Sequence, residues 1–518
     1  MPNLMIRLAE RTRLPCRAAM RPILAFGLVA TLAACATLDP TQDTAEINHL
    51  LTDRGAPGLG WETNGAAQNE ASVRAWLVEP MTVDRAVQMA MLRSPRLLEQ
   101  YGELGLARAD ILEAVQIANP RLSASRLAVE DGPGSQLSYG LAMPLVDLLV
   151  LPSRVRLARA EHERARYQIA AAVMDVSLDV EAAWYAHVAA RQVAEMRAAV
   201  AEGLDASADL AQRYFDAGNI SELQLSREQA AASQARIDAA RAAVDARMAR
   251  LDLTTLIGLT GPEAEWQATT VLPLPVATED DPSELRRMAA ESSLTLLAAR
   301  REAEISASAA GVTSAFRLLG DTGIGYEREQ EIDGSRISGP TLDLELPIFN
   351  QGQARVARAQ AQLQVARARL ARIELSSANA VEAGAERVRV MSDIVRIHRE
   401  ALVPQRETVV ARSQEEQNYM LIGVFDLIRA KTEEYDAYQS YLEAVRDYWL
   451  ARVDLMRVVG ARLPSERQTS APTPSVSDIL TPPAGGVMEG MDHSQHGGAP
   501  VAPAPVPAPD HSNHGGHS

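Results

Sequence analysis

The sequence predicts a mixed but mostly α-helical fold, a tandem duplication in which each half joins a β-hairpin to a very long antiparallel helical hairpin. Three observations predict it. The stretch Gly339 to Gln353, GPTLDLELPIFNQGQ, alternates Leu342, Leu344 and Leu346 with Asp343 and Glu345, stops at Pro347 and hands over to an Ala/Arg-rich helical run. Leu137 to Arg156 makes the same transition at Pro144. The second observation is repetition. Met89, Ala90, Ser94, Leu97 and Leu98 recur as Met288, Ala289, Ser293, Leu296 and Leu297, and Arg250, Asp252, Leu253 and Gly258 recur as Arg452, Asp454, Leu455 and Gly460, with a nearly constant offset. The third is length without punctuation: Ser153–Glu202 and Ile220–Ile257 contain neither Gly nor Pro.

Residues 1–34 read as a secretory leader. Arg7, Arg11, Arg13, Arg17 and Arg21 precede an apolar run from Pro22 to Ala34 that is too short to cross a bilayer as a helix. It ends in Leu32-Ala33-Ala34-Cys35, which resembles the bacterial lipobox and implies acylation at Cys35. Met20 offers an alternative start with a more compact signal. Cys16, the other cysteine, lies in the leader, so no internal disulfide is expected in the mature chain. Residues 35–79 form an expected irregular arm, broken by Pro57, Gly58 and Gly60.

The first repeat, 80–270, opens with a helical pattern of Val83, Ala86, Val87 and Ala90, interrupted at Pro95, and a second helix running towards Asn119-Pro120. Two strands follow around Asp131-Gly132-Pro133-Gly134. The second repeat, 271–465, has the matching hairpin in Leu318–Phe349 around Asp333-Gly334. Four strands cannot close a membrane barrel, since small barrels need about eight, so the strands are expected to be pooled between subunits.

The helical reach from Ser153 to Ala217 would span roughly 100 Å, too long for burial in a compact domain. It turns at Gly218-Asn219 within RYFDAGNISELQL. The return carries Ile237, Ala240, Val244, Met248 and Leu251 at coiled-coil spacing. In the second repeat Gln353–Leu402 is helical in pattern, Pro404 marks a bend and NYMLIGVFDLI carries Gly423 near the tip. The return then runs through Tyr438, Leu442, Val445 and Trp449.

The net charge of -16 argues against a nucleic-acid partner. No catalytic constellation is present: there is no phosphate-binding loop, and His162, His187 and His398 are isolated on helices, so no enzymatic activity is expected.

The lipobox, the duplication, the DLELPIFNQGQ junction and the tips RYFDAG and NYMLIGVFD together resemble the TolC-type outer-membrane factor family over about Pro80 to Leu463. The resemblance implies a homotrimer with a twelve-stranded barrel in the outer-membrane lipid, continued by a twelve-helix periplasmic coiled-coil tunnel. It implies a periplasmic adaptor and an inner-membrane pump, of the resistance-nodulation-division type, as partners. It further implies adaptor contacts at Gly218, Ser221, Leu223 and Gly423. Tyr419, Phe425 and Asp426 are the candidates for a closed constriction, a trimer's carboxylate ring being able to hold cations and narrow a lumen. Two features depart from the family pattern: the apolar Met420-Leu421-Ile422 before Gly423, and the Val146–Pro152 junction without a Gly-rich turn.

From about 466 to 518 the chain is Pro/Ser/Thr/Ala-rich, a composition expected to be disordered, and ends in MEGMDHSQHGG and DHSNHGGHS. Met488, Met491, His493, His496, His511, His514 and His517 form a thioether and imidazole set suited to copper ions, while the channel itself requires no cofactor. The reading is therefore an outer-membrane export conduit, lipid-anchored at Cys35 with its tail in the periplasm, for copper or silver. A multidrug or organic-solvent channel is the alternative within the class, and a periplasmic metal-binding lipoprotein the alternative outside it.

Overall fold

The computed structural model describes residues 40–59, 66–128, 130, 134–319, 322–467 and 471–481. The arm expected to be irregular holds two helices, α1 (Pro40–Thr52) and α2 (Ala66–Trp76). Ile47 and Leu51, one turn apart on α1, are fully buried, an apolar stripe too short to stand out in the sequence. Asp43 anchors α1 by accepting from Arg108 Nε at 3.0 Å and pairing with His162 Nε2 at 2.9 Å. Those contacts hold the Asp43 carboxyl below its usual range although burial alone would raise it.

Helix α3 (Val83–Arg93) starts at Thr82, whose hydroxyl accepts from Arg85 N–H. Helix α4 (Pro95–Val115) starts on Pro95 itself, a residue that suits the first helical turn. Strands β1 (Arg121–Ala128) and β2 (Ser135–Pro144) form the first hairpin. Helix α5 (Leu145–Asp216) then leaves the sheet without a linker, and its 72 residues enclose Pro152. The helix therefore begins earlier than the Gly/Pro-free run indicates. Proline is tolerated there because it withdraws only one hydrogen-bond donor from a helix anchored on both sides. The return helix α6 (Glu222–Ile257) completes the first half.

The second half repeats this order with α7 (Pro282–Ser292), α8 (Leu294–Ala315), β3 (Gly323–Gln330) and β4 (Arg336–Asp343). Here the alternation misleads. Strand β4 ends at Asp343, because its partner β3 begins at Gly323 opposite it, so Leu344 to Pro347 have no ladder to join. Helix α9 (Gln353–Ile397) runs out, a π-turn at His398–Leu402 precedes Pro404, and α10 (Val403–Asn418) reaches the tip. The bend expected at Pro404 is thus absorbed by one widened turn just before it. Helix α11 (Val424–Val459) returns.

The duplication is visible in backbone geometry. Gly258 and Gly460 both end a return helix in the left-handed region, at φ 82° and 73°. A Cβ on Gly258 would lie 2.6 Å from the Arg93 carbonyl oxygen, and one on Gly460 would lie 2.8 Å from Ser293 Cα. Each glycine lets a return helix close on the break between the first two helices of its own half.

The core runs along α5 and α11, where Tyr185 stacks on Trp449 at 5.1 Å and 16°. Leu442, Val445 and Trp449 are buried there, as their spacing indicates. Ile237, Val244, Met248 and Leu251 are instead about half exposed or more. Helix α6 meets α5 through a different set, Leu225, Ala232, Ala235 and Ala242, because small residues permit the closer approach. Pro474–Ser518 forms a separate unit in which Ser475 caps the short helix α12 (Val476–Leu480).

Candidate functional site

Two places combine function-bearing residues with unusual exposure: the sheet and the two hairpin tips. The four strands lie in order β1-β2-β3-β4, all antiparallel. The register puts Leu122 beside Leu141, Leu141 beside Tyr326 and Tyr326 beside Pro340. One step nearer the helices, Met143 pairs with Ile324 and Ile324 with Leu342. Because side chains alternate between faces, all of these share one face. The other face carries Ser123, Ser125, Ser138, Glu327, Glu329, Thr341 and Asp343, with Leu127 and Ile337 as its large apolar members. No described strand residue is buried in the chain. Strand β2 has the ten residues a tilted strand needs to cross the hydrocarbon of a membrane, while β1, β3 and β4, at eight, fall just short of it. In the chain, β1 and β4 are edges, which in lipid demand pairing with further strands. Among the described residues no helix is long and apolar enough to cross a membrane.

At the far ends of the helices, the chain turns twice. In the first tip Gly218 adopts φ 74°, its N–H reaches Phe215 O at 2.8 Å, and Asn219 N–H reaches Tyr214 O at 2.8 Å. Ser221 accepts from Gln224 N–H and starts α6. In the second tip Met420 takes φ 59°, the only non-glycine with positive φ among the described residues. Gly423 starts α11, and its N–H donates to Asp426 Oδ2 at 3.3 Å while Asp426 N–H donates back to Gly423 O at 3.1 Å. The two tips are fastened together by Phe425, which packs on Ala211 and Leu225 and meets the Tyr214 ring edge-on at 6.0 Å.

The model of the outer membrane efflux protein family matches residues 86–259. Among curated proteins none matches the sequence. Among solved structures, a membrane protein from Pseudomonas aeruginosa superposes with TM-score 0.63 at 17% identity, covering 73% of this chain and 92% of its own. The CmeC outer membrane channel of Campylobacter jejuni gives TM-score 0.62 at 14% identity over 81% of this chain and 93% of its own. The outer membrane protein VceC of Vibrio cholerae gives 0.61 at 15% identity over 73% and 96%. The chain has the fold of outer-membrane efflux channels, and its residues 86–259 match that family's model.

Within that family fold, the expected site residues separate into distinct roles. Gly218, Ser221, Leu223 and Gly423 are all exposed at the tips, beside Met420 and Leu421, which are more than 70% exposed. Tyr419 is exposed as well. Phe425, expected to help form a constriction, is buried and acts as the joint between tips, packing on Ala211 and Leu225. Asp426 is exposed, but its carboxylate caps a helix and so has a structural task. Tyr214, four residues before the tip glycine, marks the first tip in the sequence, but its contact with Phe425 across the two tips is not readable there. Of the isolated histidines, His162 is buried against Asp43 and His187 against Trp266, ring to ring at 5.1 Å. Among the described residues no group of three or more His, Cys, Asp or Glu is placed to hold a metal ion. Cys35, Met488, Met491, His493, His496, His511, His514 and His517 lie outside the described residues.

Proposed function

We propose that the chain is the outer-membrane channel of a tripartite efflux system, passive in itself, and that its cargo is monovalent copper or silver. The observation that carries the channel reading is a four-stranded sheet with one face apolar in its half next to the helices, one polar face and two free edges, fed directly by a 72-residue helix. Such a sheet is stable in lipid only when copies pool their strands into a closed barrel with the polar face turned inward. Three chains would supply twelve strands, and their helices would continue the lumen as a tunnel. The exposed Met420 and Leu421 beside Gly218, Leu223 and Gly423 suit an adaptor protein, with an inner-membrane pump behind it supplying the energy. Tyr419 and Asp426 would line the constriction. Cys35 would anchor each chain to lipid, and the Met/His tail would gather the ion at the tunnel mouth, thioether favouring the monovalent state.

The test is complementation of a deletion strain with the full chain or a chain ending at Arg467, scored on copper, silver and a panel of antibiotics. Metal tolerance restored by the full chain alone supports metal export and a role for the tail. Rescue of antibiotic tolerance without metal tolerance would replace the metal cargo by organic compounds and leave the channel standing.

A further inference from the structure

The apolar face of the sheet changes character along its height. Its two rows nearest the helices are Met143, Ile324 and Leu342, then Leu122, Leu141, Tyr326 and Pro340. The next row towards the hairpin ends holds Ala124, Tyr139, Arg328 and Ser338, and the one beyond it Arg126, Leu137, Gln330 and Arg336. Three guanidinium groups therefore stand on the lipid-side face directly above an apolar band, with Tyr139 beside Arg328 and Tyr326 in the row below. All three arginines are exposed.

Charge is divided between the faces. Glu327, Glu329 and Asp343 all point to the opposite side, and among the described residues Arg126, Arg328 and Arg336 have no carboxylate partner. Arginines of the tunnel helices behave differently: Arg369 pairs with Glu302, Arg389 with Glu386 and Arg301 with Glu163. A solvated surface would show mixed signs on one face. Arginine at headgroup depth favours a phosphate partner, because the planar guanidinium matches phosphate oxygens two at a time.

We infer that Arg126, Arg328 and Arg336 form a binding site for the phosphate groups of the glycolipid that occupies the outer leaflet. The inference rests on the channel reading, which turns this face to lipid and its hairpin ends to the outside. Arg126 and Arg336 occupy the two edge strands, about 14 Å apart across three strand spacings in one chain. Barrel closure makes those edges neighbours, so the arginines of adjacent copies converge. Like charges on neighbouring strands repel, and a phosphate held between them converts the repulsion into a bridge. The lipid would thereby sit at each seam between copies and favour the closed assembly.

The test uses the full chain purified in detergent, with bisphosphorylated lipid A and dephosphorylated lipid A as probes, read by native mass spectrometry. Wild type is expected to retain the phosphorylated lipid and not the dephosphorylated one. The triple variant Arg126→Gln, Arg328→Gln, Arg336→Gln should retain about tenfold less, Arg328→Gln alone an intermediate amount, and Arg121→Gln, on the other face, as much as wild type. Equal retention of both lipids, or equal retention by wild type and the triple variant, overturns the inference. Complete displacement by millimolar inorganic phosphate would overturn the lipid assignment in favour of a simple anion site. Single-channel conductance in planar bilayers runs alongside: a conducting triple variant with lost lipid supports the site, whereas a wild type that never conducts rejects the channel reading itself.

Discussion

Helix α5 and its counterpart α9–α10 are two copies of one outgoing element with opposite environments. Helix α5 packs against α4, α6, α8 and α11, and buries residues as polar as Glu181 and Gln192. Helix α9 buries only Ala359, Ala366, Val381, Val388 and Val395, and leaves Val365, Leu375 and Ile397 more than half exposed. Duplication kept the backbone plan, including the paired glycines 258 and 460, but assigned burial by position. The first copy lies at the centre of the chain's own core. The second lies at its margin, with apolar side chains left for surfaces beyond the chain, as on α6.

The comparison can be broken most forcefully at a pair of equivalent arginines. Arg452 is fully buried, pairs with Glu279, donates to Ser465 Oγ at 2.9 Å and lies 5.7 Å from the Trp449 ring centre. Its counterpart Arg250 is a third exposed and donates to the carbonyls of Ala264 and Trp266 at 2.8 and 2.9 Å. Arg452→Ala removes the cation paired with Glu279, leaves it only the Tyr448 hydroxyl, empties a fully buried site and should cost about 3–5 kcal/mol. Arg250→Ala leaves two carbonyls and the largely exposed Glu265, 3.7 Å from the guanidinium, and should cost about 1 kcal/mol. Denaturant unfolding of the full chain in detergent measures both. Equal losses would mean that the two halves bear load alike.

A second contrast concerns histidine. On α5, burial beside Arg191 and Arg250 pushes His187 down to about 4, while His398, at the π-turn of the second copy, is lowered by burial alone. A histidine with a depressed folded pKa stabilises the neutral-pH state, and that contribution is fully present above its unfolded value near 6.5. It is lost as pH falls towards 4, because the unfolded chain takes up the proton first. The loss should amount to roughly 3 kcal/mol between these limits. In His187→Leu the acid limb of stability against pH should flatten over that window. An unchanged limb would transfer the acid sensitivity to other groups.

These contrasts also mark what the sequence makes legible. Tip glycines 218 and 423 are found because a turn must interrupt a helix with a residue that permits it, a local requirement. The end of β4 is misread because a strand stops where its partner stops, and the place where β3 begins is written twenty residues earlier. Phe425 is misassigned for the same reason: its burial depends on Ala211 and Leu225, about two hundred residues away in the other tip. The arginine belt was invisible until the register aligned Arg126, Arg328 and Arg336 on one face. Local chemistry is readable from a sequence, whereas partnership across the fold is not.

The tips give the smallest expected effect. Gly218 takes φ 74° without a side chain to obstruct it, whereas Met420 takes φ 59° with one, and projects into solvent more than 90% exposed. A left-handed methionine costs on the order of 1 kcal/mol, and no side-chain contact among the described residues offsets it. Met420→Gly should therefore raise stability by about that amount, while Gly218→Ala should lower it by a similar amount. If the exposed methionine is kept for docking, the stabilised Met420→Gly variant should lose drug or metal tolerance in cells although it assembles normally. Unchanged tolerance would leave the strained turn without a function, and a loss of stability in Met420→Gly would show that the second tip holds its methionine for packing as the first holds its glycine for shape.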